Sequence, residues 1–132
     1  MEWEKKRSID VQSAIDKGLL KGNIFTHNHP RGRSLSGKDG MMMVEHGIAE
    51  IRAVGIKFIY SIQLPPDFTQ HSILEFKKAL EYIYGETRNH LSEDVNNNIY
   101  GCKEAALILD HLVWEKMNRY FLIKYRRIKN ER

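Results

Sequence analysis

The stretch that most constrains this chain runs from Asn23 to Asp39 and reads Asn-Ile-Phe-Thr-His-Asn-His-Pro-Arg-Gly-Arg-Ser-Leu-Ser-Gly-Lys-Asp. Ile24 and Phe25 read as the end of a buried strand. His27 and His29 alternate with Asn28, so in extended backbone both imidazoles point to one face. Pro30 and Gly32 then break the strand and turn the chain. Ser36 stands three positions ahead of Asp39, the spacing at which a serine caps the first turn of a helix. Two imidazoles at a strand end and one carboxylate at the next helix start can converge on one point. Three such ligands with a fourth position open are what a catalytic zinc ion requires. The stretch therefore predicts a one-zinc site held by His27, His29 and Asp39.

The flanks predict what carries this site. Glu2 to Arg7 is a charge cluster that reads as a solvated helix end. In Ser8–Gly18, Val11, Ala14 and Ile15 fall at helical spacing and Gly18 is a natural stop. After Asp39 a short helix ends near Gly47, with Met41–Met43 packing onto a sheet. Ile51–Val54 and Lys57–Ile62 predict two strands that turn near Gly55 and Ile56, and Leu64-Pro-Pro-Asp67 ends that hairpin. Ser72 caps a helix with Ile73, Phe76, Leu80, Ile83 and Tyr84 on its buried stripe, fading over Gly85–Leu91. Ser92–Asn98 reads as a polar loop. A long helix over Lys103–Ile128 puts Ala106, Leu109, Val113, Met117, Tyr120 and Phe121 on one side. The expected fold is α+β (or α/β), with a small mixed sheet of about three to four strands, flanking helices and two long C-terminal helices. One domain, 1–132, would comprise a motif-bearing sheet region over about 18–64 and a helical region over about 71–129.

Composition narrows the class. No run of about 18 apolar residues exists, which excludes a transmembrane helix and a membrane partner. The N-terminal Met-Glu-Trp-Glu-Lys-Lys-Arg lacks the apolar core of a signal peptide. A single cysteine, Cys102, excludes an internal disulfide and fits a reducing compartment, so a cytoplasmic location is expected. The net charge of +4 gives weak support for a polyanionic partner. The basic stretch Lys124–Arg132, read as a helix end, is the place where nucleic-acid phosphates would bind, in a salt-dependent way. No Gly-rich phosphate loop or Cys-x-x-Cys pair competes with the histidine motif.

Candidate acid–base groups are sparser. His111 and Glu115 are four apart and share a helix face, so they can supply a general base or an extra ligand, although such pairs are common as plain structure. Glu4 is the other candidate, from the N-terminal segment. His46 lies one to two turns beyond Asp39 and is expected to be solvent-facing or structural.

His27-x-His29-Pro followed by Ser36-x-x-Asp39 resembles the JAB/JAMM (MPN) metalloprotease signature, above all its RadC-like form with His-Asn-His-Pro-x-Gly. It is more similar still to the His-Asn-His-Pro domain at the C-terminal end of some phage head-morphogenesis and polymorphic-toxin proteins. The likeness covers roughly residues 18–62, about a third of the chain. It implies zinc on His27, His29 and Asp39, with Ser36 helping to hold the reacting oxygen and an upstream glutamate as general base. It also implies a protein substrate cleaved at a peptide or isopeptide bond, and a phage-associated setting or delivery within a larger protein. Here the gap from His29 to Asp39 is one residue shorter than the usual spacing, and Glu2 and Glu4 are the only upstream glutamates. Three functions follow as expectations: a zinc hydrolase, a phage or mobile-element nuclease or toxin domain using His27 or His29 on nucleic acid, and a catalytically silent binding module of the same fold.

Overall fold

The computed structural model describes residues 22, 24–29, 32–65, 68, 70–120 and 123–131. The helix expected over Ser8–Gly18 and the candidate Glu4 lie outside the described residues. The elements are β1 (Ile24–Asn28), α1 (Gly37–His46), β2 (Glu50–Val54), β3 (Phe58–Gln63), α2 (Gln70–Asn96), α3 (Cys102–Tyr120) and β4 (Lys124–Lys129). The strands form one mixed sheet in the order β1-β2-β3-β4. β1 and β2 are parallel, whereas β2–β3 and β3–β4 are antiparallel. This is an α+β architecture. Among the described residues no helix is long and apolar enough to cross a membrane.

Register decides which side chains face inward. Phe25, Ile51, Ile62 and Tyr125 lie in one row across the four strands, and His27, Ala53, Tyr60 and Arg127 in another row on the same face. Ile51, Ala53, Tyr60, Ile62 and Tyr125 from this face join the core, as do side chains from all three helices. The helices contribute Met43 and Val44 (α1), Phe76, Leu80 and Ile83 (α2), and Val113, Trp114 and Met117 (α3). Phe76 and Trp114 are fully buried and stacked with centroids 6.1 Å apart. Such a ring pair is worth about 1 kcal/mol beyond its area. The opposite face of β2 and β3 carries Glu50, Arg52, Ser61 and Gln63.

Parallel pairing of β1 with β2 needs a crossover rather than a hairpin. Residues 29–49 form it, with α1 at its centre. The two histidines therefore sit at the end of the first strand, and Asp39 at the start of the crossover helix. Gly47 closes that helix at φ 66°, donating its N–H to the Met43 carbonyl.

The second half departs from expectation in four places, the first being that α2 begins at Gln70, so Ser72 lies within its first turn and not at its cap. α2 does not fade at Gly85 but continues to Asn96. Buried Thr87 and Leu91 anchor its second half, which outweighs the roughly 1 kcal/mol cost of a mid-helix glycine. The polar residues from Ser92 are helical, and the break comes only at Asn98, whose φ of 59° suits asparagine. The long last helix stops at Tyr120, and Lys124–Lys129 is strand β4 instead. Tyr125 there points inward opposite Ile62 while Lys124 and Arg126 point away, so pairing with β3 overrides the helical reading. The supposed helical region 71–129 thus includes the fourth strand of the sheet.

Candidate metal centre

The ladder itself aims the two histidines. His27 lies within β1, buried, opposite Ala53. The His29 N–H donates to the Val54 carbonyl at 3.0 Å, which carries the extended backbone one residue past the strand. Both imidazoles consequently stay on the inner face. Gly32, at φ 79°, then returns its N–H to the His29 carbonyl at 2.9 Å and turns the chain toward α1.

Asp39 is fixed by the cap of α1. The Asp39 N–H donates to Ser36 Oγ at 3.2 Å, while Ser36 N–H and Oγ–H donate to Asp39 Oδ2 at 2.9 and 3.0 Å. This reciprocal capping box contributes about 1 kcal/mol to the helix. It also orients the carboxylate toward the histidines. Ser36, expected beside the reacting oxygen, has its hydroxyl directed at this carboxylate.

The three groups converge. His29 Nε2 lies 3.2 Å from His27 Nδ1 and 3.9 Å from Asp39 Oδ2, and His27 Nε2 lies 3.8 Å from Asp39 Oδ1. One ligand atom from each residue falls within 4.8 Å of the others, and the group can hold a metal ion. Ligand atoms about 2.0–2.1 Å from one tetrahedral ion stand about 3.3 Å apart, so the three groups, within 4.8 Å of one another, must draw closer to ligate one ion. The tautomer of His29 suits this. Its Nδ1 lies 2.9 Å from the Arg33 carbonyl and 3.1 Å from the Ser34 carbonyl, which can only accept, so Nδ1 carries the proton. The Nε2 lone pair is left facing His27 and Asp39, the arrangement by which outer partners orient a metal-binding histidine.

The loop that receives His29 is held from behind. Trp114 Nε1 donates to the Leu35 carbonyl at 2.6 Å. Ser34 Oγ and the Tyr125 hydroxyl are 2.7 Å apart, and that hydroxyl is 2.8 Å from His111 Nδ1. His111 Nε2 in turn pairs with Glu115, as their spacing predicts. The structure thus places His111 and Glu115 behind the loop, joined to His29 through Tyr125 and Ser34, and outside the converging group. Burial and the nearby Arg127 charge hold the His111 imidazole below its ordinary pKa, against the pull of Glu115. Burial pushes the Tyr125 phenol up, so it stays protonated.

In front of the loop, a groove of about 960 Å³ opens between the three helices. Its wall includes Arg33, Ser36, Gly37, Tyr84 and Asp110, above an apolar floor with Met41, Met42 and Leu80. His46 also lines it, at the far end of α1 from Asp39. The Tyr84 hydroxyl donates to Asp110. Burial raises the Asp110 pKa above its ordinary value; the Tyr84 hydrogen bond and the charges of Arg33 and His29 oppose this, and Asp39 adds to it.

The sequence assigns no functional role to Tyr125, Ser34, Tyr84 or Asp110, and places Tyr84 only on the buried stripe of its helix. Only Asp110 carried a usable signal: it stands three and four residues ahead of buried Val113 and Trp114, where a carboxylate is out of place. Neither a family model, nor a curated protein, nor a solved structure matches this chain. The reading of function rests on the residues themselves.

Proposed function

We propose that the chain is a zinc-dependent hydrolase of the JAB/JAMM-like type, cleaving a peptide or isopeptide bond in a protein substrate. The convergence of His27, His29 and Asp39, with His29 locked in the ligating tautomer, carries this reading. Zinc would supply a Lewis acid that polarises the carbonyl and lowers the pKa of a water to near neutrality. The chain's own residues do the rest. His27, His29 and Asp39 would hold the ion, Ser36 fixes the carboxylate, and the groove beside Ser36 and Gly37 would receive an extended segment of substrate. Hydrolysis adds the water oxygen to the carbonyl carbon, breaks the C–N bond and leaves a proton on the departing amine. The test is metal content of the purified protein by mass spectrometry, with His29→Ala alongside. About one zinc per chain, lost in the variant, is expected. Absence of zinc from the pure protein, with no change in thermal midpoint on adding it, overturns the reading.

A nucleic-acid substrate is the second reading, favoured by β4. Lys124, Arg126, Arg127 and Lys129 are all exposed on that strand. His27 or His29 would then act as a base on a phosphodiester. Cleavage of RNA or DNA that falls with salt and disappears in His27→Ala is the expected sign. Inertness toward both across divalent metals rejects it.

A further inference from the structure

A second cavity, of about 420 Å³, lies between the first half of α3 and the inner face of the sheet. It shares no lining residue with the groove beside Ser36 and Gly37. We infer that it binds a small carboxylate with an apolar body, a role that requires no metal. Its place follows from register. Phe58, Tyr60 and Arg127 all point to the inner face of β3 and β4, and Leu107, Ile108 and His111 of α3 close the cavity opposite them. The volume is at the low end of those that hold a small molecule.

The walls are tied in place by hydrogen bonds. The Tyr60 hydroxyl donates to the Gly32 carbonyl at 3.2 Å. Asn130, just past β4, donates its N–H to the Lys57 carbonyl and its side-chain amide to the Gly55 carbonyl, both at 2.8 Å. These two bonds pin the turn that carries Ile56 and Lys57 at the mouth. A site held in this way loses little freedom when a ligand enters.

The lining joins cations to apolar surface and includes no acid. Lys57 and Arg127 supply its positive charge, and neither has a carboxylate partner among the described residues. Glu115 is engaged by His111 and does not line the cavity. The Arg127 guanidinium lies over the Phe58 ring, 4.5 Å from its centroid, which orients the planar fork that matches a carboxylate. Ile56 is 78% exposed and Leu107 42% exposed. An apolar body laid against them leaves water while its charged head meets the guanidinium. Phosphate fits less well, because neither a helix N-terminus nor a serine or threonine hydroxyl lines the cavity.

The test titrates the whole chain with sodium octanoate and follows the backbone amide signals by NMR. Saturable shifts are expected at Gly32, at Ile56–Phe58 and at Leu107–His111. Octanol keeps the body without the charge and acetate keeps the head without the body, so both should bind more weakly than octanoate. Arg127→Gln should weaken octanoate binding about tenfold. Arg126→Gln, on the other face of β4, should leave it unchanged. Ile56→Ser, on the exposed turn, should also weaken it, so the test stands if Arg127→Gln does not fold. The absence of saturable shifts overturns the inference, as does octanol or acetate binding as tightly as octanoate. An equal loss in Arg126→Gln would assign the binding to diffuse charge and overturn it too. Tighter binding of octyl phosphate than of octanoate would overturn the choice of carboxylate.

Discussion

The indole of Trp114 lies so close to Gly40 that a β-carbon on that glycine would stand 2.2 Å from Trp114 Cη2. The same indole donates to the Leu35 carbonyl, so one α3 side chain sets both the approach of α1 and the path of the loop leading into it. Gly40→Ala gains about 1 kcal/mol of helix propensity but overfills this contact. A net loss of stability of about 1–3 kcal/mol is expected, read as a lower urea midpoint. A midpoint equal to or above wild type would show that the close approach has no energetic weight.

Ser36 links helix capping to ligand placement. Ser36→Ala removes the acceptor for the Asp39 N–H and one donor to its carboxylate. It should cost about 1 kcal/mol of stability. Affinity for added zinc should fall with it, because the backbone N–H of residue 36 is then the one capping donor left to the Asp39 carboxylate. Calorimetric titration with zinc reads the second effect; unchanged affinity would mean that the backbone N–H of residue 36 and packing position the carboxylate without the hydroxyl.

Tyr125 bridges two buried polar groups, Ser34 Oγ and His111 Nδ1. Tyr125→Phe keeps the ring and strands both partners, so about 1–3 kcal/mol of stability should be lost. Hydrogen exchange of the loop amides from Gly32 to Leu35 should quicken at the same time. Stability lost without faster exchange would argue that the bridge does not restrain the loop.

Glu50, on the sheet face opposite the core, is only 4% exposed. Burial alone would raise its pKa, but hydrogen bonds from Arg52, Gln63 and Ser61, together with the Arg52 charge, overcome this and hold it below its ordinary value of 4.5. A carboxylate depressed in the folded state contributes stability that is complete above the unfolded pKa and lost as pH falls through the folded one. Glu50→Gln should therefore be less stable than wild type at pH 7, and the gap should close in the acid range below about 4.5. A gap that is constant with pH would place the effect in packing.

The site was far more legible than its supports. His27, His29, Ser36 and Asp39 lie within thirteen consecutive residues, so strand alternation and a helix cap suffice to bring them together. The flanking strands β2 and β3 were equally plain from their apolar runs. β4 was hidden because Tyr125 and Ile128, three apart, fit the helical period, whereas in the strand they fall on opposite faces, and only pairing with β3 decides for the strand. Asp110 and Tyr84 are 26 positions apart. Nothing local in either stretch reveals that two helices will bring them together at a third.

β4 is the outermost strand of the described sheet on its side, and Lys124, Arg126, Arg127 and Lys129 make four of its six residues cationic. An open strand edge is a template on which a second copy can add. Two such edges brought side by side would align positive charges on both, so the strand discourages fibre-like stacking by repulsion alone. That safeguard is ionic, and concentrated salt would weaken it.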